Sequence, residues 1–222
     1  MNNDPMSVDQ RPLGAGVSRR RVMVGGAIAG LAGTLGFSAL TQRAAQASSH
    51  GSAAANDVEI LNGALYYEHQ AIWAYSAAAG GLSDTDVGKA VLAIALANQA
   101  DHMVHRDVLS QVITDLGGTP VTAEDSYDLS AYLERGDGGL DSDVNIAKLA
   151  LALETDAAIA YASEVARLKT PELVTAGASI ASAEAAHATT IRAAFIALGV
   201  EIDYVPAPFV SADTRDQWVI KV

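Results

Sequence analysis

Apolar side chains recur at three- and four-residue intervals along four stretches of the chain, at about 57–80, 85–117, 144–169 and 171–199, all rich in Ala and Leu. That spacing is the period of one helical face, and Ala and Leu are strong helix formers, so four long helices are predicted. No comparable alternating strand pattern lies among them. Gly80-Gly81 ends the first stretch, Ser83 is placed to cap the second, and Gly117-Gly118 ends it. Thr170-Pro171 supplies an N-cap followed by proline at the first helical position of the fourth. The link from 118 to 143 is far longer than the other two; its Gly, Asp and Tyr content predicts an ordered crossover with a short helix near Ser130–Glu134. The expectation is an all-α fold, a four-helix bundle with one long crossover between helices two and three.

Several polar residues sit inside these apolar stripes. At 100° per residue, Ile180, Glu184, Ile191 and Leu198 all fall within about 60° of His187, so Glu184 and His187 share a core-facing stripe. In the first helix Glu68 lies among Leu61, Leu65, Ile72 and Tyr75; in the third Glu154 lies among Leu151, Ala158, Tyr161 and Val165. Each Glu is followed seven residues later by a Tyr on nearly the same face, which reads as a weak internal repeat of a helix pair. The second helix should then match the fourth, and two registers are open. One aligns His102 and His105 with Glu184 and His187, placing Asn98, His102, His105, Leu109 and Leu116 on one stripe and Gly117 opposite Gly199. The other aligns Gln99 and His102 with the pair. The first is preferred because Gln99 lies about 120° from His105, beside Arg106, and turning a packed helix is harder than lengthening a turn. Asp101 borders the stripe as an extra donor, whereas His69 lies about 100° round the helix from Glu68, outside it.

Residues 1–47 read as a targeting segment and not as part of the fold. Arg19, Arg20 and Arg21 precede a 17-residue run, 24–40, that is diluted by five glycines and followed by Ala45-Gln46-Ala47. This is similar to a cleaved twin-arginine export signal, which implies a folded protein delivered to the periplasm or the extracytoplasmic envelope, with no stable membrane anchor after cleavage. Residues 48–56 are small and polar and are expected to form a disordered N-terminus, 57–199 the bundle and 200–222 a tail. Phe209, Trp218, Val219 and Ile220 make that tail too apolar to be idle: it packs back on the bundle or joins protomers in a homo-oligomer. Without the segment's five arginines and two aspartates, the chain's 14 basic and 26 acidic residues become 9 and 24, a net charge of −15. Such a surface argues against nucleic acid and attracts metal cations. Cysteine is absent, so any metal must be held by Glu, Asp and His, donors that suit iron, manganese or zinc.

One acid from each of two helices, with an acid-x-x-His pair from each of the others, resembles the di-metal carboxylate site of the ferritin-like superfamily. The resemblance covers about 57–199 and is narrower toward exported ferritin-like domains of bacteria, on the E-H start, the Tyr at plus seven, the H-R-D run and the S-Y-D-L crossover. It implies metal ligands Glu68, His102, His105, Glu154, Glu184 and His187, with Gln99 and Asp101 as alternatives and Tyr75 and Tyr161 behind them. The departure is His102 (or Gln99), where the pattern has Glu. Three carboxylates leave two divalent ions short of one negative charge, so one metal, or two of unequal affinity, is expected. Two functions follow: an exported metal-binding, oxidoreductase-like or iron-handling protein, or a non-enzymatic bundle with a stress-protective, structural or partner-binding role. Stripping the metal is expected to leave bare carboxylates crowded in an apolar core, so that Glu154→Gln would stabilise the metal-free protein.

Overall fold

A computed structural model describes residues 51–222. Four long helices dominate it: α1 (Gly51–Ala79), α2 (Asp86–Asp115), α4 (Asp143–Glu164) and α5 (Pro171–Ala197), with α3 (Ser130–Glu134) in the crossover and α6 (Arg215–Trp218) in the tail. No strand occurs among the described residues. Short links make α1 antiparallel to α2 and α4 antiparallel to α5; these are the closely packed pairs, and contacts between the pairs are sparser. The all-α bundle with a long crossover between its second and third long helices is the expected architecture.

The ends of the elements follow from local chemistry. Thr85 caps α2, accepting a hydrogen bond from the Gly88 amide at 3.1 Å, so Thr85 replaces the expected Ser83, whose hydroxyl instead bonds Asp143 at 2.6 Å. Ser142 caps α4 by accepting from Asn145 N–H at 3.2 Å. Helices α2 and α5 close identically: Gly117 and Gly199 take left-handed φ of 80° and 89°, and the following amides, Gly118 and Val200, reach back to Ile113 O and Phe195 O at 2.9 and 3.0 Å. Both are Schellman closures, which need a residue free of a Cβ at the left-handed position. Their equivalence extends the internal repeat to the helix ends.

Helix α1 starts at Gly51, so residues 51–56 are helical and the expectation of disorder over 48–56 is corrected for them; residues 48–50 and the export segment lie outside the described residues. A tether holds this turn in place. Asp57 is fully buried, and its carboxylate accepts the amides of Lys169 and Thr170 at 2.8 and 3.0 Å and the Thr170 hydroxyl at 2.7 Å. It thereby fixes the start of α1 against the start of α5. Helix α4 ends at Glu164, earlier than the 169 expected, because Val165–Arg167 tightens into a 3₁₀ turn.

The core is a sandwich of apolar layers around a polar one. Leu61, Leu65, Leu109, Val112, Ile113 and Leu173 pack at one end, and Ala147, Leu151, Ala188, Ile191 and Phe195 at the other. One turn inward from Leu65, Leu109, Leu151 and Ile191, each long helix presents Glu or His. The crossover lies along α1, where Tyr127 meets Tyr66 edge-on at 5.3 Å between centroids. The tail packs back on the bundle: Ile202 and Ile220 join the second apolar layer, Trp218 and Val219 are buried, and Arg192 donates to Trp218 O at 2.5 Å. Buried Asp137 ties crossover to tail, accepting from Arg135 and Arg215 at 2.8 Å and from Lys221 at 2.5 Å. No helix among the described residues is long and apolar enough to cross a membrane.

Candidate metal centre

All six residues expected as ligands converge at mid-bundle, and all are buried. Glu68 comes from α1, His102 and His105 from α2, Glu154 from α4, and Glu184 and His187 from α5. The two pairs sit three residues apart, so each helix turns both its members to the same side. Their ligand atoms form two overlapping sets, Glu68, His102, His105 and Glu184, and His102, Glu154, Glu184 and His187, each with its atoms within 4.8 Å of one another. His102 and Glu184 belong to both. His102 addresses the sets through opposite ring edges: Nδ1 is 2.7 Å from Glu68 Oε2, while Nε2 is 3.3 Å from Glu154 Oε1 and 3.8 Å from Glu184 Oε2.

Two atoms in the first set are left without a hydrogen bond although they are buried: His105 Nδ1 and Glu184 Oε1. They are 3.0 Å apart, close enough to bond, but their alignment is not that of a hydrogen bond. Both therefore keep unused bonding capacity side by side. Unpaired buried polar atoms cost about 1–3 kcal/mol each, and a cation accepting both lone pairs removes that cost. Carboxylate oxygens with imidazole nitrogens fit iron, manganese or zinc.

Without a cation, protons do part of the neutralising. Burial alone would lower the His102 and His187 pKa values; hydrogen bonds and charges from the surrounding glutamates override it, raising His102 well above the usual range and His187 to about 10. Burial alone would raise Glu154, but its bonds to His102 and His187 hold it well below the usual carboxylate range. The charged form of both rings is thereby favoured beside Glu154.

Around the donors lies a ring of braces that the sequence only half disclosed. Tyr75 on α1 donates to Glu154 on α4, and Tyr161 on α4 donates to Glu68 on α1, so the two Glu–Tyr repeats are bonded crosswise. Burial and the neighbouring carboxylates push both phenols well above their usual pKa, so they remain donors. Asn98 was seen only as a stripe member; its amide donates to Tyr75 Oη at 3.0 Å and to Glu154 Oε1 at 3.1 Å. A polar side chain one turn before His102 on an apolar face was the available signal. Gln99 points elsewhere, donating to Ile72 O at 2.8 Å and the Ser76 hydroxyl at 2.7 Å, so the preferred register of α2 is the one that reaches the cluster. Asp101 reaches the cluster from its edge, 3.1 Å from His187 Nε2 and with more than half its side chain exposed. His69 stays out, its ring nitrogen 3.2 Å from Val121 O in the crossover.

A model of the ferritin-like domain matches residues 56–197. Among solved structures, the fold is similar to that of a conserved hypothetical protein, rv2844, from Mycobacterium tuberculosis, with 27% identity and a TM-score of 0.52, covering 65% of this chain and 98% of that one. No curated protein matches the chain.

Proposed function

The chain belongs to the ferritin-like domain family, and from that premise we propose that its mid-bundle Glu/His cluster is a resident site for divalent iron or manganese, with zinc the third candidate. Glu68, His102, His105 and Glu184 would hold one ion; His102, Glu154, Glu184 and His187, with Asp101 at the edge, would hold a second of different affinity. The observation that carries this reading is the unpartnered pair His105 Nδ1 and Glu184 Oε1 at 3.0 Å, which the surrounding hydrogen-bond network leaves for a cation. When bound, iron or manganese supplies Lewis acidity and a redox couple.

The chain's own residues do the rest. The crosswise Tyr75 and Tyr161 hydroxyls fix one oxygen of Glu154 and of Glu68, so each carboxylate has its rotation limited before an ion arrives. The apolar layers on either side surround the donors with a low-dielectric core, which strengthens their hold on charge. An oxidoreductase-like or iron-handling protein of the cell envelope is the role that fits, and the twin-arginine pair in the N-terminal segment supports export. The competing reading is a metal-free structural bundle; what favours it is that every other buried donor of the cluster is already paired.

Metal analysis of protein purified without chelator separates the two. Wild type is expected to retain iron or manganese, His105→Ala to lose most of it, and Gln99→Ala to keep it. Metal-free wild type after purification and reconstitution would hand the bundle to the structural reading.

A further inference from the structure

Helices α1 and α4 face each other across the bundle without packing closely, and between them runs a cavity of about 500 Å³. Its lining begins at Glu59 and ends at Ala78 on α1, so it follows the helix for roughly 28 Å at 1.5 Å per residue. Spread over that length, the volume makes a slot one chain wide and not a chamber. It lies within the size range of ligand sites and is far larger than a buried water needs.

The walls are made by small and apolar side chains, among them Ala64, Ala71, Ala157, Ala160 and Leu153. The floor is different. Glu68, Glu154 and His102 line it, with Tyr75 and Tyr161. The slot therefore passes over the two crosswise Tyr–Glu bonds and leads to the donors of the proposed metal site. Its charged lining residues are Glu59, Glu164, Asp156 and Arg167 beside the floor. Arg167 is already bonded to Glu164 at 2.6 Å, and Asp156 to Arg215 at 2.5 Å, so the lining offers no uncommitted cation to an acidic headgroup. Glu59 is the lining charge that no cation pairs among the described residues, and it is negative.

We propose that this slot is the substrate site of the metal centre and that it takes an uncharged, elongated apolar molecule, an alkyl or isoprenoid chain with a neutral end, lying across Tyr75 and Tyr161. Assigning that molecule to the centre rests on the metal reading above; binding in the slot does not. The charge pattern sets the class: a neutral chain loses only water from alanine walls, whereas a fatty-acid anion would give up its hydration along walls that offer it no free cation.

Nile red, an uncharged dye, is titrated into the full chain and followed by its fluorescence, with 1-dodecanol and dodecanoate as competitors. Saturable binding is expected, with dodecanol displacing the dye at least tenfold more effectively than dodecanoate at pH 7.5. Ala157→Trp, which fills the middle of the slot, should weaken dye binding at least tenfold while metal content stays at the wild-type level; Ala160→Leu should do the same to a smaller degree if the tryptophan variant does not fold. In cobalt-loaded protein, dodecanol should shift the visible absorption of the metal, and Ala157→Trp should abolish the shift. Equal binding to wild type and a folded blocking variant, or equal competition by the anion, overturns the proposal. Dye binding with no spectral change in metal-loaded protein overturns the slot's assignment to the centre. Failure to retain any metal while slot binding persists defeats the metal reading alone.

Discussion

Replacing Glu154 by Gln tests whether the mid-bundle polar layer supports the fold by itself. Glu154 is 1% exposed and receives Tyr75, Asn98 at 3.1 Å, His102 at 3.3 Å and His187 at 3.2 Å. A glutamine keeps one oxygen, turns an NH₂ toward groups that are themselves donors, and leaves two cationic rings short of a counter-charge. Removing one partner of a buried ion pair costs about 3–5 kcal/mol, which lowers the melting temperature of a 222-residue chain by roughly 6–20 °C. The pH dependence has a definite sign. His187 is raised to about 10, so its contribution is complete below about 6.5 and is lost as pH rises toward 10. Glu154 is held low, so its contribution is complete above about 4.5 and is lost on acidification. Metal-free wild type should therefore be most stable between about pH 4.5 and 6.5 and soften as the solution becomes alkaline, and the variant should show a flatter profile. Added manganese at a hundred times its dissociation constant should restore about 2.7 kcal/mol to wild type and little to the variant. The assay is a set of thermal melts on chelator-treated protein at pH 5.5, 7.5 and 9.5, with and without metal. Metal-free Glu154→Gln melting at or above wild type at pH 5.5 would refute the reasoning.

Other consequences follow from single contacts. Asp137→Asn should destabilise the chain by about 1–3 kcal/mol, because buried Asp137 holds Arg135, Arg215 and Lys221, two of them half-exposed and still solvated without it; burial works against the Asp137 charge but these cations hold its pKa well below the usual range, so the loss seen in urea melts should shrink as pH falls below about 3.8. Gly138→Ala should cost about 3 kcal/mol or more in the same assay, since φ is +129° and a Cβ would stand 2.3 Å from Leu149 N. Arg19→Lys combined with Arg20→Lys should leave the precursor in the cytoplasm, checked by fractionation; unchanged export would remove the twin-arginine assignment.

The long helices were legible because Ala and Leu periodicity and glycine punctuation act locally, and each helix end that was read correctly is closed by a residue within a few positions of it. At residues 51–56 and at Ser83, where the reading failed, the cause was distant. Residues 51–56 look like coil by composition, yet extending a helix already packed avoids the cost of nucleation, and Asp57 fixes that extension by bonding Lys169 and Thr170, more than a hundred residues away. Ser83 had the right chemistry for a cap, but Asp143, brought alongside by the fold, takes its hydroxyl and leaves the cap to Thr85. No window of sequence contains those partners.

At the cluster, the helical period located every buried Glu and His that meets there, because a polar group on an apolar stripe needs a partner and the stripes face one another. What the period could not supply is which atom faces which, and that decides the energetics. Counting three glutamates gave a picture of bare charges awaiting a metal. The structure replaces it with carboxyl groups already met by histidine rings whose pKa values are raised and by tyrosine hydroxyls from the opposite helix. The sign of the expected Glu154→Gln effect on the metal-free protein therefore reverses, from relief of repulsion to loss of a shared acceptor. The same closure explains how a bundle could fold before metal arrives: protons hold the donors in place, and an incoming cation has to displace them. Only His105 Nδ1 and Glu184 Oε1 need no such displacement, so metal entry should begin at that pair.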